Sequence, residues 1–274
     1  MAKKNNWKIG VLGCGAVGSR LANFVTTGLK SPCRLTALYD VDVDRAKSLA
    51  KKLAIPHAVC PSFSAFLKKS NFIIEAVNAN NARALIEKIL IAKKHLLVMS
   101  VGQMLHSKKI FDIVEQNQLS LLVPSGAIAG VDALKSASHK QIERITLTTR
   151  KPPKGLAGNP YFEQKGIDLT KIKKETVVFD GNVKQAVKNF PRNINVAATI
   201  ALASRKPARM RVRIITSPEF KTNSHELEVV GDFGRFVTRT ENVACPDNPK
   251  TSYLAVLSGM QTLKQFFENS YLGT

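Results

Sequence analysis

An apolar segment near the start of the chain opens directly into the glycine pattern G-x-G-x-x-G, at residues 8–18. In a dinucleotide-binding turn each glycine has its own steric role. Gly13 permits the tight turn from strand to helix, Gly15 lets the backbone approach a pyrophosphate, and Gly18 lets the helix pack closely against the strand. Because an apolar strand precedes the pattern and a helix follows it, we interpret it as a nucleotide-binding turn rather than an ordinary glycine-rich loop.

The residues after this turn indicate how a dinucleotide would be held. The next predicted helix begins at Ala16, and the N–H groups of Ala16 and Val17 are directed at the diphosphate. A second apolar strand ends in Asp40, where an acidic side chain accepts hydrogen bonds from the adenosine ribose hydroxyls. The carboxylate would repel a 2′-phosphate, whereas Arg45 one turn further on would attract it. We therefore expect NAD as the preferred cofactor and NADP as a second one.

Strands and helices alternate through the first half of the chain. Apolar strands are predicted at residues 34–39, 71–77, 95–100 and 120–124, with helices between them. This rhythm predicts an α/β fold with a doubly wound parallel sheet of the Rossmann type, in which ligands bind at the carboxyl ends of the strands. On that rule, Ser100, Gly126 and Ala127 are candidate ligand contacts, because they follow predicted strands.

The hydrophobic pattern changes near residue 140. Strands of alternating polarity are predicted at residues 142–149, 175–179, 209–215, 225–230 and 235–240, and an apolar helix at 195–204 lies among them. This pattern predicts an α+β layer, an open sheet covered on one face by helices. Residues 151–165 contain several prolines and glycines and predict an exposed loop.

These patterns predict the domain organisation. We expect a dinucleotide-binding domain over residues 1–125 and a second, α+β domain over residues 126–245. Residues 246–274 predict a C-terminal helix that starts at Thr251, after two prolines. The sequence leaves open which domain this helix packs against.

The charge of the chain is unusual. It has 41 Lys and Arg against 20 Asp and Glu, a formal net charge of +21. Such a surplus favours polyanionic partners, and nucleic acid is one of them. The basic residues, however, occur as scattered pairs, and aromatic residues do not interleave with them as a stacking platform for bases requires. We therefore do not expect specific nucleic-acid binding.

The four cysteines, Cys14, Cys33, Cys60 and Cys245, form no C-x-x-C pair and have no metal-ligand spacing. We expect reduced thiols, no metal site and a cytoplasmic protein. No apolar stretch approaches the length that spans a bilayer, so we expect no membrane insertion.

Four segments of the chain, residues 125–134, 190–199, 223–226 and 248–252, resemble the signature segments of the L-aspartate dehydrogenase family. They occur in the family's order and, with the glycine loop, span nearly the whole chain. The resemblance implies NAD(P)-dependent oxidation of L-aspartate to iminoaspartate, which hydrolyses to oxaloacetate and ammonia or feeds NAD biosynthesis. It also implies a homodimer, with the second domain providing both the substrate site and the dimer contact.

The resemblance also implies roles for single residues. His225 resembles the family's catalytic histidine, Ala127 matches the position whose backbone N–H contacts the nicotinamide side of the cofactor, and Asn195 matches a cofactor-contacting asparagine. The two substrate carboxylates require charge-assisted donors, and the sequence does not choose among the candidates. We expect the substrate contacts among Gly126, Asn193, Lys250 and Thr251.

The chemistry fits a histidine in this place. Loss of a hydride from the substrate Cα requires a neutral amine, and a water must later attack the imine; a histidine that titrates near the working pH can serve either step. An alternative is open, because His225 shares a strand face with Leu227 and Val229 and could be a hydrogen-bonded core residue. Asn195 could likewise act only as a helix cap.

Two other functions are compatible with the fold pattern. One is a related oxidoreductase that acts on homoserine or on a dihydrodipicolinate-like ring, but the lysine or histidine motifs that such an enzyme needs in its substrate domain are not found. The other is a nucleotide- or nucleic-acid-binding protein without activity, which predicts the loss of chemical residues such as His225.

Overall fold

The computed structural model describes residues 6–29, 33–77, 82–105, 107–190, 194–205, 207–246 and 248–272. The chain forms two compact units. The first ends at Pro124 and is completed by Val256–Tyr271 from the C-terminal helix, while the second consists mainly of Ser125–Ala255. The C-terminal helix, whose partner the sequence left open, therefore belongs to the first unit.

The first unit alternates strands and helices. Its elements are β1 (Trp7–Leu12), α1 (Ala16–Thr27), β2 (Cys33–Tyr39), α2 (Val43–Lys52), α3 (Phe63–Lys69), β3 (Phe72–Glu75), α4 (Ala82–Ile91), β4 (His95–Val98), α5 (Lys108–Gln116) and β5 (Leu121–Leu122). The strands pair in the order β2-β1-β3-β4-β5, and every pair is parallel. This is the doubly wound α/β sheet that the sequence predicted.

The strands of this sheet are short apolar runs because helices cover both faces. In β1 and β3, the side chains of Ile9, Val11, Phe72 and Ile74 are fully buried. Since β1 lies between β2 and β3, where the strand order reverses, its carboxyl end places the glycine loop at the edge of the sheet where ligands bind in such folds.

Aromatic rings attach the C-terminal helix α10 (Tyr253–Glu268) to this unit. Phe267 lies 4.9 Å from Phe72 and 5.6 Å from Trp7, measured between ring centroids, in edge-to-face geometry. Edge-to-face pairs of this kind stabilise a fold beyond the area that they bury.

The second unit is built around a mixed sheet. Its elements are α6 (Val131–Ala137), β6 (Ile142–Lys151), α7 (Pro160–Gln164), β7 (Thr176–Asn182), α8 (Val183–Asn189), α9 (Asn195–Ser204), β8 (Met210–Thr216), β9 (Asn223–Gly231), β10 (Gly234–Asn242), β11 (Ala244–Cys245) and β12 (Asn248–Ser252). The order in the large sheet is β10-β9-β6-β8-β7, in which only β6 and β8 run parallel. The structure confirms the predicted second domain of strands and helices.

The two faces of the mixed sheet differ in polarity because successive side chains of a strand point to opposite sides. On one face Leu147, Leu227 and Val212 are paired and buried. On the other face lie ion pairs, of which Arg150 with Glu226, at 3.2 Å, is the least exposed. The candidate residue His225 lies on this apolar face, because it is two residues from Leu227 in the same strand.

The structure corrects three of the predicted boundaries. Strand β5 is only two residues long, and α10 starts at Tyr253, since Thr251 lies in the short strand β12. The predicted exposed loop over residues 151–165 is confirmed only in part, because most of these residues are exposed but the segment is not a plain loop. It starts with a buried residue at the end of β6, contains α7, and buries Leu156 and Phe162.

Three further observations concern the predicted class of protein. Among the described helices, none is both long enough and apolar enough to cross a membrane. All four cysteines are free thiols. Within the described part of the chain, His, Cys, Asp and Glu form no group of three or more that could hold a metal ion.

Candidate active site

The glycine loop between β1 and α1 has the geometry that its sequence pattern predicts. Gly13 adopts a φ of +91°, and a Cβ there would lie 2.6 Å from the carbonyl oxygen of Ala76. A Cβ on Gly18 would overlap the carbonyl oxygen of Gly13, so the helix can approach the strand only without a side chain. In contrast, a Cβ built on Gly15 meets no described atom within 4 Å. Gly15 therefore leaves open space at the N-terminus of α1, where Ala16 and Val17 begin the helix.

Asp40 lies at the end of β2, buried, and its carboxylate ties this strand to the glycine loop. Oδ2 accepts a hydrogen bond from the N–H of Cys14 at 2.7 Å, and Oδ1 accepts one from the N–H of Asp42 at 2.9 Å. A carboxylate offers about four acceptor positions, so each oxygen retains a lone pair for a ribose hydroxyl. Burial and the negative charge of Asp40 raise the pKa of the Cys14 thiol to about 12, which keeps it neutral inside the loop.

Glu75 is a functional candidate that the sequence analysis missed. It ends β3, is fully buried, and accepts hydrogen bonds from the N–H of Val77 at 2.9 Å and from both the N–H and the hydroxyl of Ser100, at 3.1 and 2.7 Å. Burial raises the pKa of the Glu75 carboxyl. The hydroxyl of the predicted candidate Ser100 thus donates a hydrogen bond to Glu75. This bond joins the carboxyl ends of β3 and β4. A carboxylate at the end of an otherwise apolar strand was the available signal.

His225 lies in β9 and is 5 % exposed. Its Nδ1 and the hydroxyl oxygen of Thr149 on the paired strand β6 are 3.0 Å apart and share a hydrogen bond whose direction depends on the imidazole tautomer. Burial, and then the charge of Lys151, lower the pKa of His225 to about 3. The imidazole is therefore neutral throughout the physiological range, which differs from the expectation that it titrates near the working pH.

Lys151 is the second residue that the sequence analysis missed, because it was assigned to the exposed loop. It is the last residue of β6 and is 9 % exposed. Burial lowers the pKa of its ammonium group to about 8. The alternation of Leu147, Thr149 and Lys151 along one strand was the signal for its burial, since residues i, i+2 and i+4 share a face.

The predicted contact Ala127 is held in place by β10. Its carbonyl oxygen accepts hydrogen bonds from the hydroxyl of Thr240 at 2.9 Å and from the side-chain amide of Asn242 at 3.1 Å. Thr240 is the residue paired with His225 across β9 and β10, so the structure links Ala127 to the histidine strand. Its neighbour Gly126 has a φ of +75°, which favours glycine, and a Cβ there would meet no described atom within 4 Å.

The remaining predicted contacts have mixed outcomes. Asn195 is the first residue of α9 and Ile194 occupies the N-cap position, so the alternative in which Asn195 is only the cap is wrong. Thr251 accepts a hydrogen bond from the side-chain amide of Asn248 at 3.0 Å, inside the β11–β12 pair. Asn193 and the side chain of Lys250 lie outside the described residues.

Comparison with known proteins identifies the family. Residues 132–266 match the family model described as aspartate dehydrogenase, C-terminal, and residues 13–124 match the NAD-binding domain of homoserine dehydrogenase. The L-aspartate dehydrogenase of Methanosarcina barkeri is 42 % identical over 97 % of this chain and 99 % of its own, and that of Methanothermobacter thermautotrophicus is 38 % identical over 97 % and 98 %. The crystal structure of aspartate dehydrogenase from Thermotoga maritima shares the fold, with a TM-score of 0.73 at 24 % identity, covering 97 % of this chain and 99 % of its own. The chain belongs to the L-aspartate dehydrogenase family.

Proposed function

We propose that this chain oxidises L-aspartate to iminoaspartate with a pyridine nucleotide, and that water then converts the imine into oxaloacetate and ammonia. The observation that carries the proposal is that the imidazole of His225 is buried and neutral. It lies in a segment that resembles a signature of the family, and relatives that match nearly the full chain are L-aspartate dehydrogenases. The enzyme is an oxidoreductase that acts on a small molecule.

The residues of the first unit fit a pyridine nucleotide. The open space at Gly15 admits a pyrophosphate against the N–H groups that begin α1, and Asp40 retains acceptor positions for a ribose. A pyridine nucleotide held there would supply the acceptor for the hydride that leaves the substrate Cα. By the family resemblance, the backbone N–H of Ala127 would contact the nicotinamide side of the cofactor, and Asn195 would be a second contact; the Ala127 carbonyl is held by the side chains of Thr240 and Asn242.

The second unit supplies the proton chemistry. The Nδ1 of His225 is engaged with Thr149, which leaves Nε2 as the atom that exchanges protons. In the tautomer in which the Nδ1–H donates to Thr149, the neutral imidazole presents an unprotonated Nε2. This nitrogen would remove the proton from the substrate amine before hydride loss and later take one from the attacking water. In each step the proton goes to Nε2, so the first proton must pass to solvent before the water is deprotonated, and the second must pass to solvent before the next turnover.

Turnover is the direct test of this function. Purified protein is incubated with NAD and one amino acid at a time, L-aspartate, L-homoserine or L-alanine. The absorbance of the reduced nicotinamide is followed in each assay. We expect L-aspartate to be the preferred substrate. Absence of turnover in both directions, from aspartate and from oxaloacetate with ammonia, would refute the proposal, and preferential turnover of homoserine would favour the related oxidoreductase.

We propose that NAD is preferred over NADP because of the Asp40 carboxylate. Replacing Asp40 with Ala should shift the ratio of kcat/KM values towards NADP, since the group that repels a 2′-phosphate is gone. The variant also loses the hydrogen bond to Cys14, so both cofactors should bind more weakly, and only the ratio reports specificity. Asp44→Ala, which removes an exposed carboxylate from the neighbouring helix, is the matched control. An unchanged ratio would mean that Asp40 only stabilises the glycine loop, through its hydrogen bond with Cys14, and does not select the cofactor.

Three further parts of the proposal concern the setting of the enzyme. We propose a homodimer, supported by the family resemblance and by half-exposed apolar side chains on the mixed-sheet edge strand, such as Val237. We propose a cytoplasmic location, supported by four free thiols. A role in NAD biosynthesis follows from the iminoaspartate product, and specific binding of nucleic acid is not proposed, because the basic residues are scattered along the chain.

A further inference from the structure

We propose that Lys151 binds one carboxylate of the substrate and so places its amine beside His225. This inference rests on the proposed function and specifies which side chain recognises the acid group. The sequence leaves the carboxylate contacts undecided and predicts that Lys151 lies in an exposed loop.

Strand geometry puts Lys151 and His225 on the same face of the mixed sheet. Thr149 and His225 are directly paired across β6 and β9, and paired residues share a face. Lys151 follows Thr149 by two residues and therefore points to that face as well. The backbone at this strand end is fixed, because the Thr216 hydroxyl donates to the Lys151 carbonyl oxygen at 2.7 Å.

A small cavity lies on this face, and Lys151 is one of the residues that line it, most of which are apolar. Its lining comprises Leu147, Thr149 and Lys151 from β6, apolar residues of β8, and apolar residues of the helical layer, among them Phe190 and Ile194. Of these lining residues, all of which the structure describes, Lys151 alone is charged. In apolar surroundings a charge-assisted hydrogen bond to a carboxylate is strong. L-Aspartate has two carboxylates, either of which could form it.

The electrostatics of the pair agree with this assignment. Burial lowers the pKa of Lys151 to about 8, and the charge of Lys151 contributes to the low pKa of His225. A carboxylate bound at Lys151 would stabilise the ammonium form and cancel its repulsion of a protonated imidazole. Substrate binding would thereby make His225 a stronger base at the moment when it must accept a proton.

The strand register and the cavity lining identify described groups on the face of Lys151. His225 faces it from β9, while β8, α8 and α9 contribute only the apolar lining residues. The charged residues Arg150, Arg213 and Glu226 occupy positions of the opposite face in the strand register. We therefore expect the titration of Lys151 to make carboxylate binding at this site depend on pH above neutral pH.

The test replaces Lys151 with Met, which keeps the length and apolar stem of the side chain and removes its charge. We expect KM for L-aspartate to rise on the order of 100-fold, because a buried charge pair is lost, while KM for NAD and the melting temperature stay near wild type. Lys184→Met, which makes the same change at an exposed site on α8, is the control and should have wild-type KM values. L-Alanine, which lacks the side-chain carboxylate, shows whether Lys151 reads that group or the α-carboxylate: only in the first case is its turnover unaffected.

A second measurement uses the wild-type enzyme and does not depend on a variant that folds. Succinate, a dicarboxylate without an amine, should inhibit competitively with L-aspartate. Its inhibition constant should rise about tenfold per pH unit above pH 8 as Lys151 loses its proton. Succinate inhibition that is absent, or constant from pH 7 to about pH 10, would overturn the inference.

The outcomes separate this inference from the proposed function. A wild-type enzyme that does not turn over L-aspartate refutes the function itself. A wild-type enzyme that does, together with an unchanged KM for L-aspartate in Lys151→Met, refutes only the role of Lys151. A variant that loses stability and weakens NAD and L-aspartate equally would show that Lys151 is structural, and would also overturn the inference.

Discussion

The His225→Ala variant should oxidise L-aspartate with a kcat lower by roughly 10²–10⁴-fold, the loss typical of a missing proton-transfer group. The affinity for NAD, measured by fluorescence or calorimetry, should be nearly unchanged. The reason is that the glycine loop and Asp40, which fit the cofactor, lie in the first unit, whereas His225 lies in the second. We expect the melting temperature to fall moderately, because the substitution leaves a cavity and removes the partner of Thr149.

The alternative in which His225 is only a core residue predicts a different pattern. Stability and all activities would then fall together, and activity per folded molecule would stay near wild type. His139→Ala removes an exposed histidine from the same unit and serves as the control, with kcat expected at the wild-type value. A folded His225→Ala protein that binds NAD and turns over at the wild-type rate would exclude His225 from the mechanism.

The pH profile of the wild-type enzyme should differ from that of an exposed histidine. The sequence suggested that His225 changes its charge near the working pH, and burial moves that change to about pH 3. Between about pH 5 and 8, where an unperturbed imidazole titrates, the free enzyme should show no limb from His225. If Lys151 binds a substrate carboxylate, the affinity for substrate should fall above about pH 8, as Lys151 loses its proton.

The features of the fold that were predictable depend on local patterns. The glycine loop, the apolar strands β1 to β4 and the change to alternating polarity after residue 140 are readable because each element carries its own periodicity. The start of α10 was placed too early because Thr251 can begin a helix, and only pairing with β11 makes it a strand residue. The side on which α10 packs depends on Trp7 and Phe72, far away in the sequence, which no local pattern reveals.

The site was predictable to the extent that its residues belong to motifs. The glycines and Asp40 follow from a recurrent turn, and His225 and Ala127 followed from family segments. The missed residues act through contacts that are distant in sequence. Glu75 and Ser100 meet because β3 and β4 are neighbours, and Lys151 meets His225 only through the pairing of β6 with β9. The prolines after Lys151 made its surroundings resemble a loop, although the residue itself still belongs to the strand.

Acid should destabilise the protein in a way that can be traced to His225. The native state keeps the imidazole neutral down to about pH 3, whereas the unfolded chain protonates it below its ordinary pKa of 6.5. The unfolded state therefore binds more protons between these values, and the free energy of unfolding falls as the pH falls through this window. The slope for one such group is up to 1.36 kcal/mol per pH unit. From pH 6.5 to 4 the loss should be about 3 kcal/mol.

Urea denaturation of wild-type and His225→Gln proteins at pH 6.5 and pH 4 isolates this contribution. A comparison of variants is needed because Glu75 acts in the opposite direction: its raised pKa means that the native state binds the extra proton, so its share of stability grows as the pH falls. Glu75 is present in both proteins and cancels in the difference. The stability of wild type relative to His225→Gln should therefore shrink by about 3 kcal/mol on acidification, and relative to His139→Gln it should stay constant. If the His225→Gln difference also stays constant, the imidazole takes up protons equally in the folded and unfolded states, and its assignment as a buried neutral base is wrong.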